Sequence, residues 1–127
     1  MEQILYAIPF LGHGLYITLL VSAIVVALSL FLGVLFGVGL VYGPWPMALL
    51  VRIFSDCIRG IPILVLIFVV YYGFPQLGLN MSSFWAAVLA LTLFKTAQVI
   101  ECVRGAIGSI PRGQMEGART IGIVFSD

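Results

Sequence analysis

Between Glu2 and Arg52 the chain carries no Asp, Glu, Lys or Arg. No other feature of the sequence limits the fold so tightly. A charge-free run of this length has no polar face to offer water. It is also too long for a single membrane crossing, which takes about 20 apolar residues. Punctuation divides it. Pro9, Gly12 and Gly14 mark an entry segment over 1–14, and Gly43, Pro44 and Pro46 mark an exit, because proline interrupts the backbone hydrogen-bond ladder. Residues 15–42 between them form the first predicted span. Composition agrees: the 127 residues are 62% hydrophobic and 9% charged, where an ordinary soluble domain has about 25% charged residues. The chain reads as an all-α polytopic membrane protein.

The rest divides in the same way. Residues 47–59, "MALLVRIFSDCIR", place Arg52, Asp56 and Arg59 at i, i+4 and i+7 on one face. That pattern predicts a short interfacial helix. Residues 61–79 form a second span, with Tyr71 and Tyr72 toward one end as in an aromatic belt. Gly73, Pro75 and Gly78 make the turn region, and a third span runs over 84–103. Gly33/Gly37 and Gly39/Gly43 are each four residues apart, a spacing that lets a second helix approach closely. Cys57 and Cys102 are too few for a disulfide framework and are expected as buried, reduced thiols.

Arginine placement sets the orientation. Arg52 and Arg59 lie between spans one and two, and Arg104, Arg112 and Arg119 lie after span three. The segment before span one and the loop between spans two and three have none. All five therefore fall on one side of a three-span arrangement, and the positive-inside rule makes that side cytoplasmic. The N-terminus is expected outside and the C-terminus inside.

Several chemistries find no support. The lone His13 lies outside the spans, and no His/Cys/Asp/Glu set has metal-ligand spacing. The single Lys95 follows Leu93–Phe94, with no phosphate-cradling glycine loop before it. No basic cluster interleaved with aromatics points to nucleic acid. The expectation is a non-enzyme without metal or cofactor. Lys95 itself sits mid-span, where a charge costs about 2.5–3.5 kcal/mol on insertion scales and faces a bundle interior or a wet cavity. Gln98 and Glu101 follow at three-residue steps, so each neighbours the next on the helix surface. With Thr92 and Thr96 extending the polar side, Lys95, Gln98 and Glu101 are the candidate lining of a solute path. The bland alternatives are that Lys95 snorkels toward the interface or pairs structurally with a carboxylate on a missing or partner helix.

The least apolar stretch is "SIPRGQMEGARTIG", 109–122. Ser109 can cap and Pro111 can open a helix. Arg112, Glu116 and Arg119 then form a charged stripe at i, i+4 and i+7, in which Glu116 can pair with both arginines. Met115, Ala118 and Gly122 form a second, smaller face.

These residues resemble a known family. "ECVRGAIGSIPRGQMEGARTIG" is similar to the EAA loop of ABC importer permeases: Glu, two small residues, three more, then Gly, here Glu116, Gly117, Ala118 and Gly122. That segment and "RGIPILVLIFVVYYGFPQLG" (59–78) look like the polar amino acid permeases in particular, and the resemblance extends from about Gly14 to Asp127. It implies the N-terminal part of a type I ABC importer permease fold: three transmembrane helices, an interfacial helix and a cytoplasmic coupling helix within an EAA loop over 105–125. It implies a multi-pass subunit of the bacterial inner membrane that forms part of a translocation path for polar amino acids. It also implies partners: a cytoplasmic ATPase docked through Glu116, Gly117, Ala118, Gly122, Arg112 and Arg119, an external binding protein, and a second permease chain. Gly117 departs from the family's middle Ala at a cost of about 1 kcal/mol of helix propensity. The family has two spans beyond the EAA loop, so the chain is expected to be C-terminally incomplete. Two rivals predict otherwise: a three-span fragment that only binds partner subunits, and an unrelated homo-oligomeric transporter or channel.

Overall fold

The computed structural model describes residues 1–123, and the end of the expected EAA loop, 124–125, lies outside them. Among the described residues every regular element is helical: α1 (Glu2–Tyr42), α2 (Trp45–Gly60), α3 (Ile63–Phe68), a π turn (Val69–Gly73), α4 (Phe74–Gln76), α5 (Ser83–Gly108) and α6 (Arg112–Thr120).

The break expected at Pro9–Gly14 is absent, because α1 runs unbroken from Glu2 with Pro9 inside it. Pro9 removes one hydrogen bond, while Gly12 and Gly14 keep negative φ and continue the ladder. In an apolar run, helix is the one local conformation that satisfies every other backbone group. The exit falls at Gly43–Pro46. α1 stops at Tyr42, and Pro44 caps α2 in an extended conformation with Pro46 in its first turn.

The core is the contact between α1 and α5. Val25, Ser29, Gly33, Gly37 and Leu40 form its buried stripe on α1. A β-carbon at Gly33 would lie 2.5 Å from Val99 Cγ1, and one at Gly37 would lie 2.7 Å from Val103 Cβ. This is small-residue packing of the kind that holds helices together in lipid, where no hydrophobic force drives association. Gly39 serves a different neighbour, Met47.

These two contacts also fix direction. Gly33 meets Val99 and Gly37 meets Val103, so α1 and α5 run parallel. Both are long and apolar enough to cross a membrane. The chain leaving α1 must then return to the opposite end before α5 begins, so residues 43–82 cross back. They do so in two pieces: α2 and the Ile63–Gln76 segment meet at 104°, and together they are long and apolar enough for one broken span. The break sits at Gly60–Pro62, where Pro62 caps α3 in an extended conformation. The second expected span, 61–79, is thus shorter than read. Its helical part, Ile63–Gln76, rises about 21 Å at ~1.5 Å per residue, against about 30 Å of hydrocarbon. Pro75 cannot donate a backbone hydrogen bond, and the helix widens into the π turn just before it.

A Schellman turn ends α4. Gly78 has φ +83, its N–H reaches Pro75 O at 3.1 Å, and Leu79 N–H reaches Phe74 O at 3.0 Å. Leu66 and Val70 then pack on Ala86 and Ala90, with Phe74 and Met81 alongside. α2 lies across the other end, where Val51 joins Leu40 and Ile100. The parallel register places the first turn of α5 beside about residue 17 of α1. Residues 2–14 project past it, with Ile4, Leu5, Tyr6, Phe10 and Leu11 all exposed. Cys57 and Cys102 are also exposed, not buried, because each lies on a helix face that no other element covers among the described residues.

Candidate functional site

Two places concentrate the polar residues. The first is α6. Ser109 does not cap it. Its hydroxyl donates to Ala106 O at 2.8 Å and its N–H to Gly105 O at 3.0 Å, so Ser109 closes α5. Pro111 is the cap of α6, with φ −61 and ψ 137. The far end is a second Schellman turn. Gly122 has φ +84, its N–H bonds Arg119 O at 3.2 Å, and Ile123 N–H bonds Ala118 O at 3.1 Å. A glycine six residues after Glu116 is therefore a helix stop, since a side chain in that left-handed position is strained.

α6 buries none of its residues, and only Ala118 is half-covered. Arg112, Gly117, Glu116 and Arg119 are all exposed. Among the described residues nothing occupies the space of a β-carbon at Gly113 or Gly117. Among the described residues Glu116 makes no ion pair with Arg112 or Arg119; the ion pairs centre on Glu101. The charged stripe exists, but its members face solvent separately.

The second place is the C-terminal half of α5, where the expected polar side divides into three. Lys95 Nζ donates to Gln98 Oε1 at 3.1 Å on an exposed face. Glu101 is turned elsewhere. Six residues of helix carry it about 120° around the axis from Lys95. Arg104 donates to its Oε2 through Nη2 at 2.6 Å and Nε at 3.0 Å. Arg59 Nη1 of α2 lies 3.6 Å from the same oxygen. Ser55 of α2 is fully buried, and its hydroxyl faces Ala97 O at 3.3 Å and Glu101 Oε1 at 3.5 Å. Glu101 thus ties the amphipathic helix to the third span, just ahead of the 104° break. Thr92 and Thr96 do not extend Lys95's face. Both are buried, with hydroxyls that find no partner among the described residues, and the Thr96 carbonyl lies beside Gly33 on the α1 side.

The i, i+4, i+7 spacing groups Arg59 with Arg52 and Asp56 and is silent on its link to Glu101. No local signal gives that link, because Arg59 and Glu101 lie 42 residues apart in the chain. The one available cue was that Glu101 is the only acidic residue in the third span.

Residues 26–124 match the family of the binding-protein-dependent transport system inner membrane component. The chain belongs to this family. Among curated members of this permease family, it is 40% identical over 113 residues to the probable glutamine ABC transporter permease protein GlnM of Bacillus subtilis (strain 168), covering 89% of this chain and 52% of that protein. It is 34% identical to the arginine transport system permease protein ArtQ of the same organism, over 93% of this chain and 54% of that one. The crystal structure of an amino acid ABC transporter with histidines superposes with a TM-score of 0.88 at 29% identity, over 97% of this chain and 57% of that chain. The chain thus spans about half the length of the relatives it matches. As a family member with apolar crossing helices, it is a multi-pass inner membrane protein built on the amino acid permease fold. Its relatives are transport permeases and not enzymes. The match does not favour an unrelated homo-oligomeric channel.

Proposed function

We propose that this chain is a permease subunit of an ATP-driven importer of polar amino acids, forming part of the translocation path and docking a cytoplasmic ATPase through α6. The observation that carries this reading is the pairing of a fold similar to amino acid ABC permeases with an α6 that projects uncovered at the end of the third span. Arg112, Glu116, Gly117, Ala118 and Arg119 supply the docking surface, and Gly122 ends it. Residues 1–14 form the extracytoplasmic entry segment of the transmembrane domain, and 15–127 form the rest. ATP is hydrolysed in the partner ATPase. An external binding protein delivers the amino acid, and a second permease chain completes the path.

The parallel course of α1 and α5 supports three crossings, and three crossings gather Arg52, Arg59, Arg104, Arg112 and Arg119 on one side. That side is the cytoplasm, with the N-terminus outside. Lys95 and Gln98 line the path, and Glu101 holds α2 against α5 beside it. ATP-driven uptake of labelled amino acids into proteoliposomes tests the reading. Uptake that requires both ATP and the binding protein is the expected result; equal uptake without ATP would refute it.

A further inference from the structure

We infer that Lys95 and Gln98 form a carboxylate-recognition site on the open face of α5, taking the α-carboxylate of the transported amino acid. The inference rests on the permease reading above. α1 covers the Thr92, Thr96 and Val99 side of α5, and α2 and α3 cover the side of Ala90, Ala97 and Ile100. Lys95 stands on the remaining side and is exposed. Leu91 lies one turn before it, and Cys102 lies one turn beyond Gln98 on the same side.

The chemistry of this pair is one-sided. Lys95 brings three N–H donors and spends one on Gln98 Oε1. Gln98 still has both donors of its amide nitrogen. What the pair offers is almost entirely donor, and a carboxylate is entirely acceptor. Its negative charge also offsets an ammonium ion whose position within a membrane-crossing helix is costly. Among the described residues Lys95 makes no ion pair, and the nearest carboxylate along its helix, Glu101, is committed to Arg104 and Arg59. Every α-amino acid carries a carboxylate whatever its side chain, so a site of this kind holds the common group and leaves selection among side chains to other residues.

The test is equilibrium binding of a labelled mixture of the twenty L-amino acids to the assembled importer in nanodiscs, without binding protein, competed by free amino acids or by their α-carboxamides. The wild-type complex is expected to prefer the free acids at least tenfold. Lys95→Met should lower the preference below twofold, Lys95→Arg should keep it, and Gln98→Ala should reduce it severalfold. All three variants should copurify with the ATPase and the second chain as the wild type does. An undiminished preference in Lys95→Met overturns the inference. So does loss of assembly in Lys95→Met, which would assign Lys95 to a carboxylate of a partner chain. A wild-type complex that imports amino acids but binds them in nanodiscs without preference, or not at all, overturns it too. A wild-type complex that neither binds nor imports any amino acid refutes the permease reading itself.

Discussion

Gly33 of α1 and Val99 of α5 meet with no room for a side chain on the first: a β-carbon at 33 would lie 2.5 Å from Val99 Cγ1 and 3.3 Å from the Thr96 carbonyl oxygen. The backbone oxygen cannot move aside as a flexible side chain can. The two helices must separate if anything larger is placed there.

Gly33→Leu is therefore expected to destabilise the helix pair by about 1–3 kcal/mol, the usual cost of overpacking. Gly14→Leu, at a position where a β-carbon meets nothing, is the control and should leave the melting temperature in detergent nearly unchanged. Val99→Ala should restore part of the loss in the Gly33→Leu background. A Gly33→Leu protein that melts with the wild type would remove the close contact from the account.

Glu101 has two arginine neighbours with unequal claims. Arg104 binds it from the same helix at 2.6 Å, and Arg59 reaches it from α2 at 3.6 Å. The Arg59 side chain is 47% exposed, so a double-mutant cycle over Arg59→Ala and Glu101→Ala should return a coupling of only about 0.5 kcal/mol. Ser55→Ala, at a fully buried position, should cost about 1 kcal/mol. Thermal unfolding of the single and double variants measures both. A coupling near zero would leave Ser55 and apolar packing as the whole attachment of α2 to α5.

Glycines in and after α6 should respond with opposite signs. Gly117→Ala sits in a helix interior with open space around it and should stabilise the helix by about 1 kcal/mol. Gly122→Ala places a side chain at φ +84 and should cost about 1 kcal/mol in the closing turn. Hydrogen exchange at the Gly122 and Ile123 amides, both bonded in that turn, reads the difference. Slower exchange in Gly122→Ala would refute the Schellman assignment.

Glu116→Lys turns the exposed stripe of Arg112, Glu116 and Arg119 wholly positive. Since Glu116 has no ion-pair partner in the chain among the described residues, the fold should be indifferent to the change. ATPase copurification should fall severalfold, while the melting temperature of the permease stays within a degree or two of wild type. Full copurification would separate Glu116 from the docking role.

Much of this architecture was legible in the letters because membrane helices are written by composition. A charge-free run, prolines at its exit and a mid-chain amphipathic segment predict helices and their ends. Hydrocarbon leaves the backbone few other ways to satisfy its hydrogen bonds. Pro9 misled for the same reason: one lost hydrogen bond is cheaper there than abandoning the helix. Spacing puts Gly122 on a small face with Met115 and Ala118, and its dihedral angles show that it ends α6.

The sequence by itself determined that the chain is helical and membrane-embedded, and that a short polar helix, Arg112–Thr120, lies within 109–122. These follow from local hydrogen bonding and transfer energies. Only the tertiary structure decided which residues meet. The Gly33–Val99 and Gly37–Val103 contacts together make α1 and α5 parallel and send residues 43–82 back to the opposite end in two pieces bent at 104°. Arg59 reaches Glu101 from α2 and joins the amphipathic helix to α5. Helix periodicity states which side of its own axis a residue faces. It does not state which helix lies on that side, and that choice comes from packing between segments far apart in the chain.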